Sequence, residues 1–464
     1  MTSQRLSVSA AAARNLATAS VTVVQNSERT PRWLHRLLPW VDVAGGVYRV
    51  NRRSVLVPKP GRIAVSLDGG TARIAPQSLA AIPLLSGLDA AAAASLADRF
   101  QESRHKAGEV IAEPSAGAQK LFVVADGTLE YFLTGPFGGL LRQGLATTGD
   151  YFGDHALTGE ARHVPGVKAL SDVTLLTFDI ADLAQLNAVR DSITATADKL
   201  KDLAAITNGH GEPKISLLAG HSGEPRLPTT FVDYSEHPRE YHLSTIQTVL
   251  HTHTRITDLY SNEIDQLREQ IRLTVDAVKE REEWEIINNP DFGLLNEVSP
   301  RFRIPTRSGA PTPDDLDELL SLVWKRPAFF VAHPRTIAAF GREATRRGVP
   351  PVVIHLYGSP FLTWRGVPLV PSDKLPINVD PATGVASSSI LLLRVGEAEQ
   401  GVVGLQKVGV TGEVEPGLSV RYSGTNEHSI ASHLVTRYFS AAVLIEDAIA
   451  RLDNVLIGRY HDYA

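Results

Sequence analysis

Between residues 241 and 285 the chain runs without a single proline or glycine. Such a span favours one long regular element over a series of short strands and turns. Within it Ile264, Leu267, Ile271, Val275 and Val278 follow one another at intervals of three, four, four and three, which stacks them on one face of an α-helix. Nine acidic and five basic residues share the span, so the other face is solvated or meets basic partners. The spacing predicts one long helix over 241–285, ended by Asn289-Pro290 because the residue before a proline is steered out of the helical region.

A different pattern comes before it. Ser86-Gly87-Leu88-Asp89 opens an Ala/Leu helix that runs to about Phe100, with Asp89 placed to cap it. Short alternating or apolar runs follow: Glu109-Val110-Ile111, Leu121-Phe122-Val123-Val124, and residues 128–133 and 173–178. Gly, Pro and Asp turns separate them, which reads as an all-β barrel or jelly roll. Residues 208–228 hold several Gly and Pro and read as a linker. Past Pro313 the pattern is α+β. Asp314, Asp315 and Asp317 head a helix to about Lys325, and a second helix is predicted over 335–347. Strands are predicted at 329–332, 352–356, 388–395 and 402–408, and more helix over 429–456.

Composition narrows the function classes. The 464 residues suggest roughly three domains. With 46 basic and 51 acidic residues the net charge is -5, so no global positive excess points to nucleic acid. Absence of cysteine excludes disulfides, thiolate metal sites and cysteine nucleophiles, and suits a reducing cytoplasm. No apolar run reaches the roughly 18 residues of a membrane helix, and Arg14 interrupts the best N-terminal stretch, so no secretory leader is expected. Residues 1–60 carry nine Lys/Arg against two Asp/Glu and read either as a solvated basic tail or as an arm that docks on an acidic neighbour. The cluster Trp33-Leu34, Leu37-Leu38 and Trp40 is too apolar to stay in water without a partner surface.

Catalytic and metal chemistry find no foothold. His251 and His253, two apart on a predicted helix, point to opposite sides, and His237, His242 and His428 are scattered. No G-x-S-x-G elbow, P-loop or dinucleotide fingerprint occurs, and Ser359, between Gly358 and Pro360, suits a turn. No catalytic residue and no metal ligand is assigned. Arg52-Arg53 and Arg346-Arg347 read as surface charges.

The β unit resembles the cyclic-nucleotide-binding domain of the catabolite-activator and protein-kinase regulatory-subunit superfamily. The resemblance lies in LLSGLDAAAAASLADRF, Gly108-Glu109-Val110-Ile111, LFVVADGTLEYF and LSDVTLLTFD, and in the run from Gly149-Asp150-Tyr151-Phe152-Gly153-Asp154 to Arg162. That run resembles the family's phosphate-binding cassette, where a Gly-rich turn into a short helix offers backbone N–H groups and one Arg adds a charge-assisted bond. The residues implied are Gly153, Asp154, Ala156, Leu157, Arg162 and His163, and the ligand cyclic AMP or another cyclic nucleotide. Asp150 and Asp154 together read as ribose contact and loop cap. Asp154 stands where the family has a longer Glu, and His163 where it has a small residue, so either the site is weak or the unit is a degenerate assembly module. A DNA-binding regulator would continue with a basic helix-turn-helix, and here a linker and an acidic span follow. A soluble cyclic-nucleotide-responsive regulator of the catabolite-activator type, forming no shell, is therefore the alternative reading.

The remaining sequence resembles the phage-capsid-like shell proteins of the second encapsulin family, in the subgroup with a cyclic-nucleotide-binding-like insertion, 2B. The resemblance rests on RTPRWLHRLLPWVDVAGGVYRVNRR, LYSNEIDQLREQIRLTVDAVKEREEWEIINNPDFGLL, FFVAHPRTIAAFGREATRRGVPPVVIHLYG, WRGVPLVPSDKLPI and SIASHLVTRYFSAAVLIEDAIARLDNVLIGRY. It implies an α+β, HK97-type capsid fold with an inserted β-jelly-roll unit. The implied layout is an arm (1–50), an extended loop (51–77 and 229–240), the insertion (78–207), a linker (208–228), and peripheral and axial domains with a spine helix (241–464). It further implies a T=1 icosahedral homo-oligomer of 60 subunits, a cytoplasmic nanocompartment that does no chemistry itself and needs no cofactor. Its contents would be a cargo enzyme with a disordered N-terminal targeting segment, of the terpene-cyclase or polyprenyl-transferase class of terpenoid biosynthesis. No nucleic-acid or membrane partner is implied.

Overall fold

Asp265 accepts the backbone N–H of Arg268 at 2.9 Å and starts a helix over Gln266–Asn288. In this computed structural model the described residues are 24–457, apart from 69–70, 115–118, 135–139, 160–163, 221–222, 224–225, 260–264, 308 and 380–384. Ile264 thus falls outside them, as does the arm up to residue 23. The long helix is real but shorter than the spacing predicts, because Arg239–His242 and Ser244–His253 are strands and Thr254–Leu259 a separate short helix. Ser244-Thr245-Ile246-Gln247-Thr248-Val249 is rich in β-branched residues, and ten pairings with Ile430–Val443, from Ser244 opposite Phe439 to His253 opposite Ile430, outweigh its helical period. For the same reason 429–456 is not helix. Ile430–Val443 and Ile449–Leu456 are central strands.

Two sheets make the main body. In the first, Ile430–Val443 lies between Leu418–Thr425 on one side and Val402–Lys407 and Ser244–His253 on the other, with Trp40–Val43 parallel to Val402–Lys407. The second is a mixed sheet of eight strands, in which Ile449–Leu456, Ala386–Leu393, Phe329–Ala332 and Val367–Pro371 run side by side and Arg303–Pro305 and Val352–Leu356 end its main path. Side chains of its central strands alternate between two cores, as a period of two requires. Phe330, Ala332, Ile390 and Leu392 pack under the helices Pro313–Leu322 and Pro334–Arg346. Phe329, Val331, Leu391 and Leu393 meet Trp33, Leu34, Ile286, Ile287 and Phe439. The Trp33–Trp40 cluster is accordingly covered by its own chain. Trp33 stands edge-on to Phe361 at 5.1 Å between ring centroids, Leu34 is closed to solvent, and the Trp40 indole donates to the His35 carbonyl.

The β unit has two four-stranded sheets. One holds Tyr151–Phe152, Lys120–Asp126, Val173–Asp179 and Gln101–His105; the other holds Val110–Ala112, Gly166–Ala169, Thr128–Thr134 and Leu140–Thr147. Asp89 caps the helix Ala90–Ala97 through the Ala92 N–H at 2.7 Å, as its position predicts. This helix and Asn187–Ile206 close the unit's core through Leu96, Val189 and Ile193. That core reaches back to Ile63, Ala72 and Ile74, ahead of residue 78. The unit leaves the body on a paired stalk. Leu56 N–H donates to the Gly211 carbonyl, Ser54 N–H to that of Asp233, and Val47–Val50 runs antiparallel to Arg239–His242.

Candidate functional site

The cassette begins at a tight node. Gly149 and Gly153 have φ of 86° and 85°, in the left-handed region. A Cβ on Gly153 would run into the Lys120 carbonyl oxygen, so only glycine lets the turn lie against its neighbour strand. Between the glycines Tyr151 and Phe152 pair with Val123 and Phe122, and after them Asp154–Thr158 forms one 3-10 segment. Of the residues assigned from sequence, Gly153, Asp154, Ala156 and Leu157 are brought together here. Ala156 and Leu157 are buried, and Leu157 belongs to the unit's core, so these two anchor the segment. Arg162 and His163 lie outside the described residues.

The two aspartates divide the roles. Asp150 Oδ2 accepts from the Thr147 N–H at 2.8 Å and from its hydroxyl at 3.2 Å, so Asp150 is the loop cap. Burial first, and then the carboxylates of Asp150 and Asp154, hold the phenols of Tyr131 and Tyr151 neutral well above their ordinary range. Phe122 and Phe152 stack at 4.6 Å, with Tyr131 edge-on to Phe152. A cleft of 440 Å³ opens between Asp154, His155 and Pro165 on one side and Ala197, Leu200 and Lys201 of the helix Asn187–Ile206 on the other. Leu84, Val164, Ala197, Leu200 and Ala204 make much of its lining apolar, with Asp154, His155, Thr158 and Lys201 as its polar groups.

Other expected positions come out differently. His251 and His253 sit on a strand, so they share a face where a helix would have separated them. His251 Nδ1 lies 3.0 Å from the Ser432 hydroxyl, and among the described residues no group of three or more His, Asp or Glu side chains could hold a metal. Ser359 starts a strand directly after the Tyr357-Gly358 turn. Arg52 is no surface charge: its guanidinium reaches the carbonyls of Val443 and Leu444, and burial lowers its pKa. Arg53 likewise turns inward to Glu212 and the Pro213 carbonyl. Arg346 and Arg347 stay on the surface beside Glu343.

The sequence reading missed a buried ionic cluster where the N-terminal segment crosses the long helix. Arg32, itself left-handed at φ 50°, pairs with Asp276 at 3.1 Å and Glu280 at 3.3 Å. Glu282 takes Arg437 at 2.7 Å and His35 at 3.3 Å, and Glu283 accepts from the His35 N–H and the Ser372 hydroxyl. Basic arm and acidic helix do meet, within one chain. The available signal was Glu282, four residues and one helical turn beyond Val278, in line with the apolar stripe.

Comparison with known proteins completes the description. The family described as type 2A encapsulin shell protein, SrpI-like, matches residues 200–459, and the cyclic nucleotide-binding domain family matches 102–188. Type 2A encapsulin shell protein SrpI of Synechococcus elongatus is 57% identical over 250 residues, 54% of this chain and 80% of the relative. The type 2A encapsulin shell protein of Mycobacterium leprae is 55% identical over 249 residues, covering 54% and 79%. The cryo-electron-microscopy structure of the holo-SrpI encapsulin complex of Synechococcus elongatus superposes with a TM-score of 0.57 at 36% identity, over 99% of this chain and 100% of that one.

Proposed function

Because the chain belongs to the SrpI-like type 2A encapsulin shell proteins, we propose that it is the subunit of a closed icosahedral particle that encloses an enzyme and carries its β unit on the outside. The family corrects the subgroup expected from sequence, which was 2B; profile and relatives are type 2A. Terpene-cyclase or polyprenyl-transferase cargo was implied through 2B and loses its support with it. The cargo proposed here is an enzyme with a disordered N-terminal targeting segment. The chain's role is structural, its relatives being named as shell proteins. Sixty copies in a T=1 lattice and a cytoplasmic location complete the reading; among the described residues no helix is long and apolar enough to cross a membrane.

The observation that carries the reading is the superposition on the SrpI encapsulin complex over nearly the whole chain. The relative's aligned 250 residues are 80% of its length, hence about 310 in all, which supports reading the extra length here as an insertion. Sizing chromatography with light scattering tests assembly. Megadalton particles that persist in reducing agent are expected, and a species at the 50.2 kDa of one subunit, or twice that, overturns the proposal.

For the cassette we propose weak cyclic-nucleotide binding, with Asp154 toward the ribose and Arg162 toward the phosphate. The Gly149–Gly153 turn and the cleft beside Asp154 support it. Asp154 is one methylene shorter than Glu and reaches the hydroxyl poorly, so micromolar or weaker affinity for cyclic AMP is expected. Calorimetry on intact particles decides it, and no heat at millimolar ligand favours a degenerate module.

A further inference from the structure

Each part of the molecule keeps its apolar core to itself. The clusters built on Leu79, Phe178 and Leu129 draw only on residues 63–193, and those of the main body take no residue from that range. Where the two meet, the surface is polar. The strand Arg303–Pro305 of the eight-stranded sheet packs beside Leu140–Thr147 of the unit. Between them lies a cleft of 320 Å³, with Thr128 and Thr147 on the unit and Asn296, Ser389, Arg451 and Asn454 on the body. Contacts of this kind leave two domains free to move unless something specific holds them.

The specific contact is ionic. Asp150 of the cassette has the Arg62 Nε at 3.5 Å and the Arg303 Nη1 at 3.8 Å. Arg303 is only 6% exposed and is fixed by bonds of 2.9 and 2.6 Å from Nε and Nη2 to the Val298 carbonyl. Burial first, then the nearby charges of Arg451 and Arg62, pull its pKa down to about 9, so Arg303 leans on Asp150 for compensation. Asp453 also favours the charged guanidinium, but it is already paired with Arg451 at 2.7 Å. Asp150 directly precedes the strand Tyr151–Phe152, and Gly149 on its other side accepts the Ile63 N–H. Stalk side, cassette and body sheet therefore converge on one carboxylate.

We propose that Asp150, held between Arg62 and Arg303, is an ionic latch that seats the cassette-bearing end of the β unit on the body, and that opening it lets the unit swing away on its stalk with the cassette. A salt-labile seat of this kind ties the state of the cassette to the state of the shell sheet beneath it, since whatever favours one position of Asp150 favours the matching position of Arg303.

The test follows hydrogen exchange by mass spectrometry in particles of wild type, Arg303→Met and Asp150→Asn. Peptides from 140–154 and 303–305 should exchange about tenfold faster in both variants, the opening having become easier, while 266–288 is unchanged and the particle mass is retained. Raising salt to about 1 M, where the screening length falls to roughly 3 Å, should move wild type toward the variants. Asp150→Asn is nearly isosteric and keeps the loop folded if Arg303→Met does not. Unchanged exchange at the junction in Asp150→Asn and in high salt overturns the latch, and so does loss of assembly by Asp150→Asn, because a latch must be dispensable to the framework. The inference rests on the shell reading only for what lies beneath the unit. A wild-type chain that stays monomeric sinks that reading, and the same exchange measurement on the monomer still decides the latch.

Discussion

Arg437 and Glu282 pin the strand Ile430–Val443 to the helix Gln266–Asn288, with Nε donating to Oε1 at 2.9 Å and both side chains closed to solvent. Removing one member leaves the other charged and buried. Arg437→Met should therefore cost about 3–5 kcal/mol, read as a lower unfolding temperature and a smaller yield of particles. The pair also has a pH signature. Burial alone would raise the Glu282 pKa, but His35 and Arg437 outweigh it and hold it below the ordinary value. Its stabilisation is thus present above the unfolded-state pKa and lost as the pH falls through the folded one.

The neighbouring residue behaves in the opposite way. Burial raises the pKa of Glu283, and the His35 N–H and Ser372 hydroxyl offset this only in part. Its charged form is disfavoured in the folded state, so stability is lost as the pH rises from the unfolded value through the folded one. In Glu283→Gln the amide oxygen keeps the His35 N–H contact, and the NH2 that replaces the other oxygen donates to the Ser372 hydroxyl. It should raise the melting temperature at neutral pH, with no gain at pH values below the ordinary glutamate range. A thermal series across pH checks it, and a gain that persists in acid would contradict the assignment.

Those two glutamates also mark how far sequence alone could go. The Asp89 cap, the glycine frame of the cassette and the body of the long helix, though not its start after Asp265, were legible, because local chemistry decides them. The strands Ser244–His253 and Ile430–Val443 were not. Each is stable because the other lies beside it, nearly 190 residues away in the chain, and a window of one sequence segment holds no trace of that partner. Asp150 was legible as a cassette residue but not as a contact of Arg303, for the same reason.

Excision of the unit tests the stalk. Since the core reaches Ile63 and Ile74, a short Gly/Ser linker in place of 59–206 should leave particles intact. Replacing only 80–224 strands the Val65–Asp68/Thr71–Ile74 hairpin with its apolar face exposed, and should lower soluble yield. Negative-stain microscopy of both deletions distinguishes them, and failure of the longer one to form particles would make the unit part of the framework.

The returning segment exposes Leu217 at 83% and Phe231 at 84%, with Tyr234 at 70%. If the chain assembles as proposed, so much apolar surface on an extended strip is expected to be covered at an intersubunit contact. Phe231→Ser and Leu217→Ser together should shift light scattering from particles toward free subunits while leaving the circular dichroism of the chain unchanged.

At the cassette, Arg162→Ala should weaken cyclic AMP binding by roughly 10- to 150-fold, the loss of one charge-assisted bond of about 1.5–3 kcal/mol. Calorimetry of both proteins measures it. Nanomolar binding that survives the substitution would place the cassette on other residues.

The two arms of the stalk enter and leave side by side, Leu56 bonded to Gly211 and Arg53 bridged to Tyr234. A gene for such a chain can gain or lose the whole module in one recombination event, because any domain whose ends lie a strand's width apart fits the same two breakpoints. Lineages that share the body can therefore differ in the module they carry, with re-adjustment needed where Arg303 faces it.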